Sequence, residues 1–320
     1  MDATLSRRDL LRMTAAGIAA SVLPHSGIAQ ARADEPVVGC TLGFSTYGMK
    51  TLSTERAIEQ IAEIGYDAIE MTVFAGWDAD SAKINAQRRK SLRNQLQDSG
   101  LKLTSLMEHV APTNDKLQAN AIERLKQAAQ LAHDLVPSAP PLVQTVLGGG
   151  SFEEAKHQLV DRLGEWVEVA DQFNTVLAIK PHRGGVVSTP SEAVWLFEQL
   201  KQPKRLRMVY DYSHYAFRDL PLTETIDVAL PWTVHIAVKD AVQQKDRVVF
   251  KLPGTSNTID FASLIKRFYE GGYRGDMSCE VSGMVWGQSG YEPVVAAKTC
   301  YQNMSEAFKK AGVPRNSNGR

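Results

Sequence analysis

Eight times after Val37 a short apolar run is followed by an amphipathic stretch, and that alternation leaves few architectures open. "VVGCTLGFS" reads as a strand. "STERAIEQIAEIG" follows with Ala57, Ile58, Ile61, Ala62 and Ile64 at helical spacing, Ser53 as N-cap and Gly65 as the stop. The pair repeats as "YDAIEMTVF" with a helix ending at Gly100, "LKLTSLMEH" with a helix from Lys116 to His133, and "PLVQTVLGG" with a helix over 152–173. It continues as "TVLAIKPH" with a helix capped at Thr189-Pro190, "LRMVYDYSH" with a short helix near 222–230, "WTVHIAVKD" with a helix over 259–271, and "GDMSCEVSG" with a helix over 291–311. Such alternation implies parallel strands joined by right-handed crossovers. Eight pairs in about 270 residues predict a single-domain α/β chain folded as a (β/α)8 TIM barrel. The rival is a doubly wound open sheet, which is weakened as a dinucleotide binder because no G-x-G-x-x-G follows the first strand. "LGGGSFEEA" lacks the Lys-Ser/Thr pair of a P-loop and reads as a loop and helix start, with anion binding the lesser option.

The first 33 residues fall outside the rhythm. Arg7 and Arg8, a modest apolar run and Ala31-Arg32-Ala33 read as a twin-arginine export signal with a small-residue cleavage site. The expected division is therefore a signal at 1–33 and a barrel at 34–320, with a periplasmic or otherwise exported mature protein. The apolar run is too short for a stable membrane span. The whole chain carries 36 basic and 36 acidic residues. Removing four basic and two acidic residues with the signal leaves 32 and 34, a net charge of −2. That balance argues against nucleic acid as a partner. Three cysteines, Cys40, Cys279 and Cys300, do not form a disulfide framework. Cys40 and Cys279 sit in strands that would neighbour each other, so one bridge is compatible, but buried free thiols are the expectation. No feature fixes an oligomeric state, and an oligomer is compatible.

A barrel of this kind keeps its active site at the C-terminal ends of the strands. Unusual polar residues gather at those ends: Glu70 on the second strand, Glu108-His109 on the third, Lys180 and His182 on the fifth, Asp211 and His214 on the sixth, His235, Lys239 and Asp240 on the seventh, and Glu280 on the eighth. Asp211, His235 and Glu280 offer one nitrogen and two carboxylates, a set suited to Mn²⁺, Mg²⁺, Co²⁺ or Zn²⁺. His214 is expected at a substrate hydroxyl or a second metal. Trp77, Trp232 and Trp286 fall near strand ends, where they suit stacking on a substrate ring or packing. Phe44 and Tyr47 are expected to wall the pocket. Lys239-Asp240 reads either as a structural ion pair or as part of the site.

"VYDYSHY", "VHIAVKD", "LPGTSNTIDF", "GGYRGDMSCEVSG" and "AIEQIAEIGYDAIEM" resemble the xylose isomerase-like barrel superfamily of sugar phosphate isomerases and epimerases, over roughly the mature chain. The resemblance implies a divalent metal held by Glu, Asp, His and Glu from strands five to eight. Carried over, Asp211, His235 and Glu280 are ligands, while the fifth-strand Glu is replaced by Lys180. Where many relatives carry Gly-Glu-Gly, this chain has Gly254-Thr255-Ser256.

Lys180 admits two arrangements. In one, its ammonium lies where the metal would sit and pairs with Asp211 and Glu280, since a buried charge needs partners. In the other, the metal remains on Asp211, His235 and Glu280, and Lys180 points at the substrate with His182 on the same strand face. The second is expected, because the triad and His214 exceed what one lysine needs. The implied activity is metal-assisted proton abstraction beside the carbonyl of a sugar or keto-sugar. Glu280 would be ligand and base, Lys180 and His214 would assist catalysis, and His182, His109, Glu70, Lys239 and Trp286 would hold the sugar. The alternatives are a non-catalytic or metal-free sugar-binding barrel, and an enolate-forming lyase or hydrolase on keto-glycosides. A metal-dependent phosphodiesterase is disfavoured by charge and export.

Overall fold

A computed structural model describes residues 38–316, so the expected export signal lies outside the described residues. In chain order the strands are Thr41–Ser45 (β1), Ala68–Thr72 (β2), Lys102–Met107 (β3), Leu142–Thr145 (β4), Leu177–Ile179 (β5), Leu206–Tyr210 (β6), Thr233–Val238 (β7), Asp240–Gln244 (β8), Arg247–Lys251 (β9) and Asp276–Cys279 (β10). The helices are Thr54–Ile64 (α1), Ala86–Ser99 (α2), Asp115–Leu135 (α3), Phe152–Gln172 (α4), Pro190–Gln199 (α5), Leu222–Ala229 (α6), Phe261–Glu270 (α7), Gly283–Trp286 (α8) and Pro293–Ala311 (α9). Eight strands close a parallel barrel in the order β1-β10-β7-β6-β5-β4-β3-β2, sealed where β1 pairs with β10. The (β/α)8 barrel expected from the alternation is the fold observed. Cys40, Cys279 and Cys300 are free and buried.

Local chemistry sets the element ends. Ser53 Oγ accepts from Arg56 N at 3.3 Å to start α1. Gly65 ends it in the left-handed region at φ 101°, donating its N–H back to Ala62 O. A side chain there would be strained, and its Cβ would lie 3.1 Å from the Tyr301 hydroxyl. Thr189 and Glu192 make a reciprocal capping box under Pro190 at the start of α5. Helix α7 buries Phe261, Leu264, Ile265 and Phe268, one stripe turned to the barrel. The strands β1 and β2 are buried on both faces, as parallel strands between a filled barrel and a helical shell must be.

Two features place the site. Lys180, Asp211, Lys239 and Glu280 are the residues immediately after β5, β6, β7 and β10, so they share one height at the C-terminal rim. In barrel order they alternate in sign around that rim. The β8–β9 hairpin is antiparallel and outside the barrel; the sequence reading had no element between the seventh strand and α7. It brings Phe250 down onto the rim, with its ring centroid 5.2 Å from Lys239 Nζ and 5.1 Å from the His214 ring.

Candidate active site

Alternating charge at one height produces a closed set of ion pairs. Lys180 Nζ donates to Glu280 Oε2 at 2.5 Å. Lys239 Nζ donates to Glu280 Oε1 at 2.8 Å and also to Asp211 Oδ2. Asp211 Oδ1 accepts from Ser213 N at 3.1 Å and from Ser213 Oγ at 2.6 Å. All four residues are buried. Burial alone would raise the Glu280 carboxyl, but the Lys180 and Lys239 ammonium groups hold it down at about 2. Asp211 is likewise kept well below its ordinary range, against burial, chiefly by Lys239 and His214. Burial opposes the charge of Lys239, and Asp211 and Glu280 outweigh it, so its pKa is raised.

Lys180 and Glu280 face a small open cleft of about 80 Å³, lined also by Tyr47, Phe74, Glu108, His109, Gln144 and His182. Burial, with His214 and Lys180 nearby, pushes the His182 imidazole down to about 3. Burial and Lys180 also lower His109. Both rings are therefore neutral near pH 7. His214 lies behind His182, with ring centroids 3.9 Å apart. Its Nε2 is 3.4 Å from Asp211 Oδ2, without a directed hydrogen bond. Burial and Lys239 push it down to about 4. Glu108, on the cleft wall, is held by Arg124 at 2.7 Å, and Arg124 is tied to Asp80 at 2.6 Å.

A second polar layer lies deeper in the barrel. Glu70 and His235 were expected at strand ends, but β2 and β7 continue past them. His235 Nε2 lies 3.2 Å from Glu70 Oε2, and its Nδ1 lies 3.7 Å from Asp276 Oδ2. Burial works against the His235 charge, and Glu70 and Asp276 raise its pKa above the ordinary value. Gln144 Nε2 donates to Glu70 Oε2 at 2.8 Å and links this layer to the cleft.

This arrangement corrects several expectations. Asp211, His235 and Glu280 are not gathered around one point; His235 is occupied one layer down. Among the described residues no group of three His, Cys, Asp or Glu side chains is placed to hold a metal ion. The residues present therefore do not fit the divalent site that the resemblance implied. Glu70 is part of the inner layer, and Lys239 is sealed beneath Phe250, so neither lines the cleft. Lys239 bonds to Asp211 and Glu280, whereas Asp240 accepts from Ser256 N at 2.9 Å and Thr258 Oγ1 at 2.8 Å. Phe44 packs in the core against Tyr66. Trp232 precedes β7, at the other end of the barrel, and packs at a tilt against Phe197.

The structure does bring Lys180, His182, His109 and Glu280 together at the cleft. Trp286 joins an aromatic wall beside it: its ring is 5.6 Å from Tyr47 and 5.9 Å from Trp77. Phe74 and Gln144 were missed as lining residues. Gln144 carried a signal, an uncharged polar residue inside the apolar run "PLVQTVL".

Solved structures share this fold. The E. coli 3-keto-D-glucoside 4-epimerase YcjR superposes with a TM-score of 0.66 at 13% identity, covering 84% of this chain and 99% of its own. D-psicose 3-epimerase from Clostridium cellulolyticum H10, solved with D-tagatose, gives 0.67 at 14% identity, covering 85% and 99%. The zinc-bound IolI protein gives 0.69 at 17% identity, again covering 85% and 99%. No curated protein matches the chain by sequence. Among the described residues no helix is long and apolar enough to cross a membrane. The family model of the xylose isomerase-like TIM barrel matches residues 58–311, and with the closed eight-stranded barrel in place the chain belongs to that family.

Proposed function

We propose that this protein is an enzyme of the sugar isomerase or epimerase type that moves a proton beside the carbonyl of a sugar or keto-sugar. The observation that carries the reading is the buried Lys180–Glu280 pair opening onto a cleft flanked by two neutral imidazoles. The epimerases sharing the fold support the substrate class. The expected export signal favours a free sugar or glycoside outside the cytoplasm over a phosphorylated metabolite. Because the residues do not fit a divalent metal, no step is routed through one.

The chemistry follows from the pair. A substrate carbonyl oxygen takes a hydrogen bond from the Lys180 ammonium, which then faces the negative charge of the enediolate as it develops. Glu280 thereby loses one of its two cationic partners, and its carboxyl pKa rises toward the ordinary value. It becomes a better base and accepts the proton from the carbon beside the carbonyl. Delivery of a solvent proton to the opposite face of that carbon, with Glu280 returning its own proton to solvent, gives an epimer. Return of a proton to the former carbonyl carbon, with proton transfer between the oxygens, gives an isomer. His109 and His182, uncharged, hold sugar hydroxyls, and the wall of Tyr47, Trp77 and Trp286 offers ring faces for stacking.

The test is proton exchange in D₂O, followed by NMR across a panel of free ketoses and keto-glucosides. Wild-type protein is expected to exchange the C–H beside the carbonyl of at least one of them. K180M is expected to be slower by about 100-fold or more, the scale for removing one donor at a developing oxyanion. A sugar that binds without exchanging would leave only a sugar-binding barrel, and K180M exchanging at the wild-type rate would remove Lys180 from the chemistry.

A further inference from the structure

We propose that the ammonium groups of Lys180 and Lys239 stand in for a divalent cation, so that this barrel works without metal. Lys239 is the internal counter-ion, and Lys180 is the cation that meets the substrate. The proposal deepens the enolisation reading and rests on it for the part Lys180 plays at the carbonyl.

Three observations carry it. The first is occupancy at the carboxylates: every oxygen of the two already accepts from a donor. Glu280 Oε2 accepts from Lys180 and Oε1 from Lys239, while Asp211 Oδ2 accepts from Lys239 and Oδ1 from Ser213 N and Oγ. A metal would have to bind beside ammonium groups that already touch three of these four oxygens. The second is charge. Two ammonium groups meet two carboxylates, so the buried set is neutral as it stands. A dication added to it would leave two uncompensated positive charges in a desolvated site, a cost no ligand there offsets. The third is the missing nitrogen. His235 lies in the layer below, between Glu70 and Asp276, and is not presented to Asp211 and Glu280.

The two lysines divide the work by position. Lys239 is 2% exposed and lies beneath the Phe250 ring, which shields it from water and adds an attraction between cation and ring. Nothing in the cleft reaches it directly. It fixes Asp211 and Glu280 in place, as a bound cation would. Lys180 lines the cleft and holds Oε2 of Glu280, so its ammonium is the one a carbonyl oxygen can meet.

Metal content and thermal unfolding test the proposal without any substrate. Full-length protein purified without chelator, then equilibrated with Mn²⁺ or Zn²⁺ and desalted, is expected to hold well under one ion per chain by mass spectrometry. Its unfolding midpoint should be the same in EDTA and in Mn²⁺. K180E reverses the balance, leaving three carboxylates against Lys239. It should retain Mn²⁺ and unfold at higher temperature with Mn²⁺ than with EDTA, because a ligand of the folded state stabilises it. K180Q and K239Q, which each leave one carboxylate in excess, should show a smaller Mn²⁺-dependent rise and carry the comparison if K180E does not fold. A wild type that retains about one divalent ion per chain, with a midpoint that falls in EDTA, overturns the proposal. Folded lysine variants as indifferent to Mn²⁺ as wild type overturn the claim that these lysines take the metal's place. A failed exchange assay is a separate result, because no sugar enters this measurement.

Discussion

At the scale of single residues, the account turns on which charge faces which. Lys239 bonds to both Asp211 and Glu280 in a buried setting. Removing it leaves Asp211 buried without a cationic partner and Glu280 with Lys180 alone, so K239M is expected to lose about 3–5 kcal/mol of unfolding free energy, measured by denaturant titration. A change within about 0.5 kcal/mol, the range of ordinary surface substitutions, would mean that the pairs carry little. The residue types at the rim were legible in the sequence: Lys180, Asp211, Lys239 and Glu280 each end an apolar run. Their pairing was not. One lysine was weighed against the whole carboxylate set, whereas two share it, because contacts across strands far apart in sequence leave no local trace. Height along a strand was equally hidden. The two-residue period shows which face Glu70 and His235 occupy, but not how many residues the strand runs on after them. They belong to an inner layer for that reason.

Elements were read more securely than their contents. All eight barrel strands and the helices between them follow the periodicity, and Ser53, Gly65 and Thr189 sit at the caps their chemistry predicts. The hairpin of β8 and β9 is the exception. "DAVQQKDRVVFK" is short, half-exposed and rich in charge, so it lacks the apolar weight that marked the other strands. It matters because Phe250 roofs Lys239 and His214. Asp240 ties the segment after the hairpin by accepting from Ser256 N and Thr258 Oγ1. D240A should therefore raise amide hydrogen exchange across 240–258 while protection in α1 and α9 stays as in wild type. Unchanged exchange at 240–258 would show that the hairpin is held by other contacts.

For the whole molecule, the buried groups predict acid sensitivity. The pKa of His182 is about 3 and that of His214 about 4 in the folded protein, both below the ordinary 6.5. Their stabilising effect is present above pH 6.5 and is lost as pH falls toward those values, because the unfolded chain takes up protons the folded one refuses. Glu280 adds loss from pH 4.5 down to about 2. Asp276 opposes them: burial raises it to about 6, so acidification from pH 6 toward 3.8 favours the folded state at that residue. With His109 also lowered and Glu108 also raised by burial, three imidazoles outweigh two carboxyls, so the thermal midpoint should fall between pH 6.5 and 4, and H214N should flatten that slope. A midpoint constant or rising over this range would contradict the assigned protonation states. The fold was legible because the barrel repeats one pattern eight times, and the family through its resemblance at stretches such as "VYDYSHY" and "VHIAVKD"; the chemistry was not, because it depends on a few side chains meeting at the rim. The most direct measurement is the rate of deuterium incorporation beside the carbonyl of a keto-sugar, in excess EDTA, for wild type and K180M. The account predicts exchange that persists in EDTA for wild type and collapses in a folded K180M. Exchange that stops in EDTA and returns with Mn²⁺, or that survives in K180M, would contradict it.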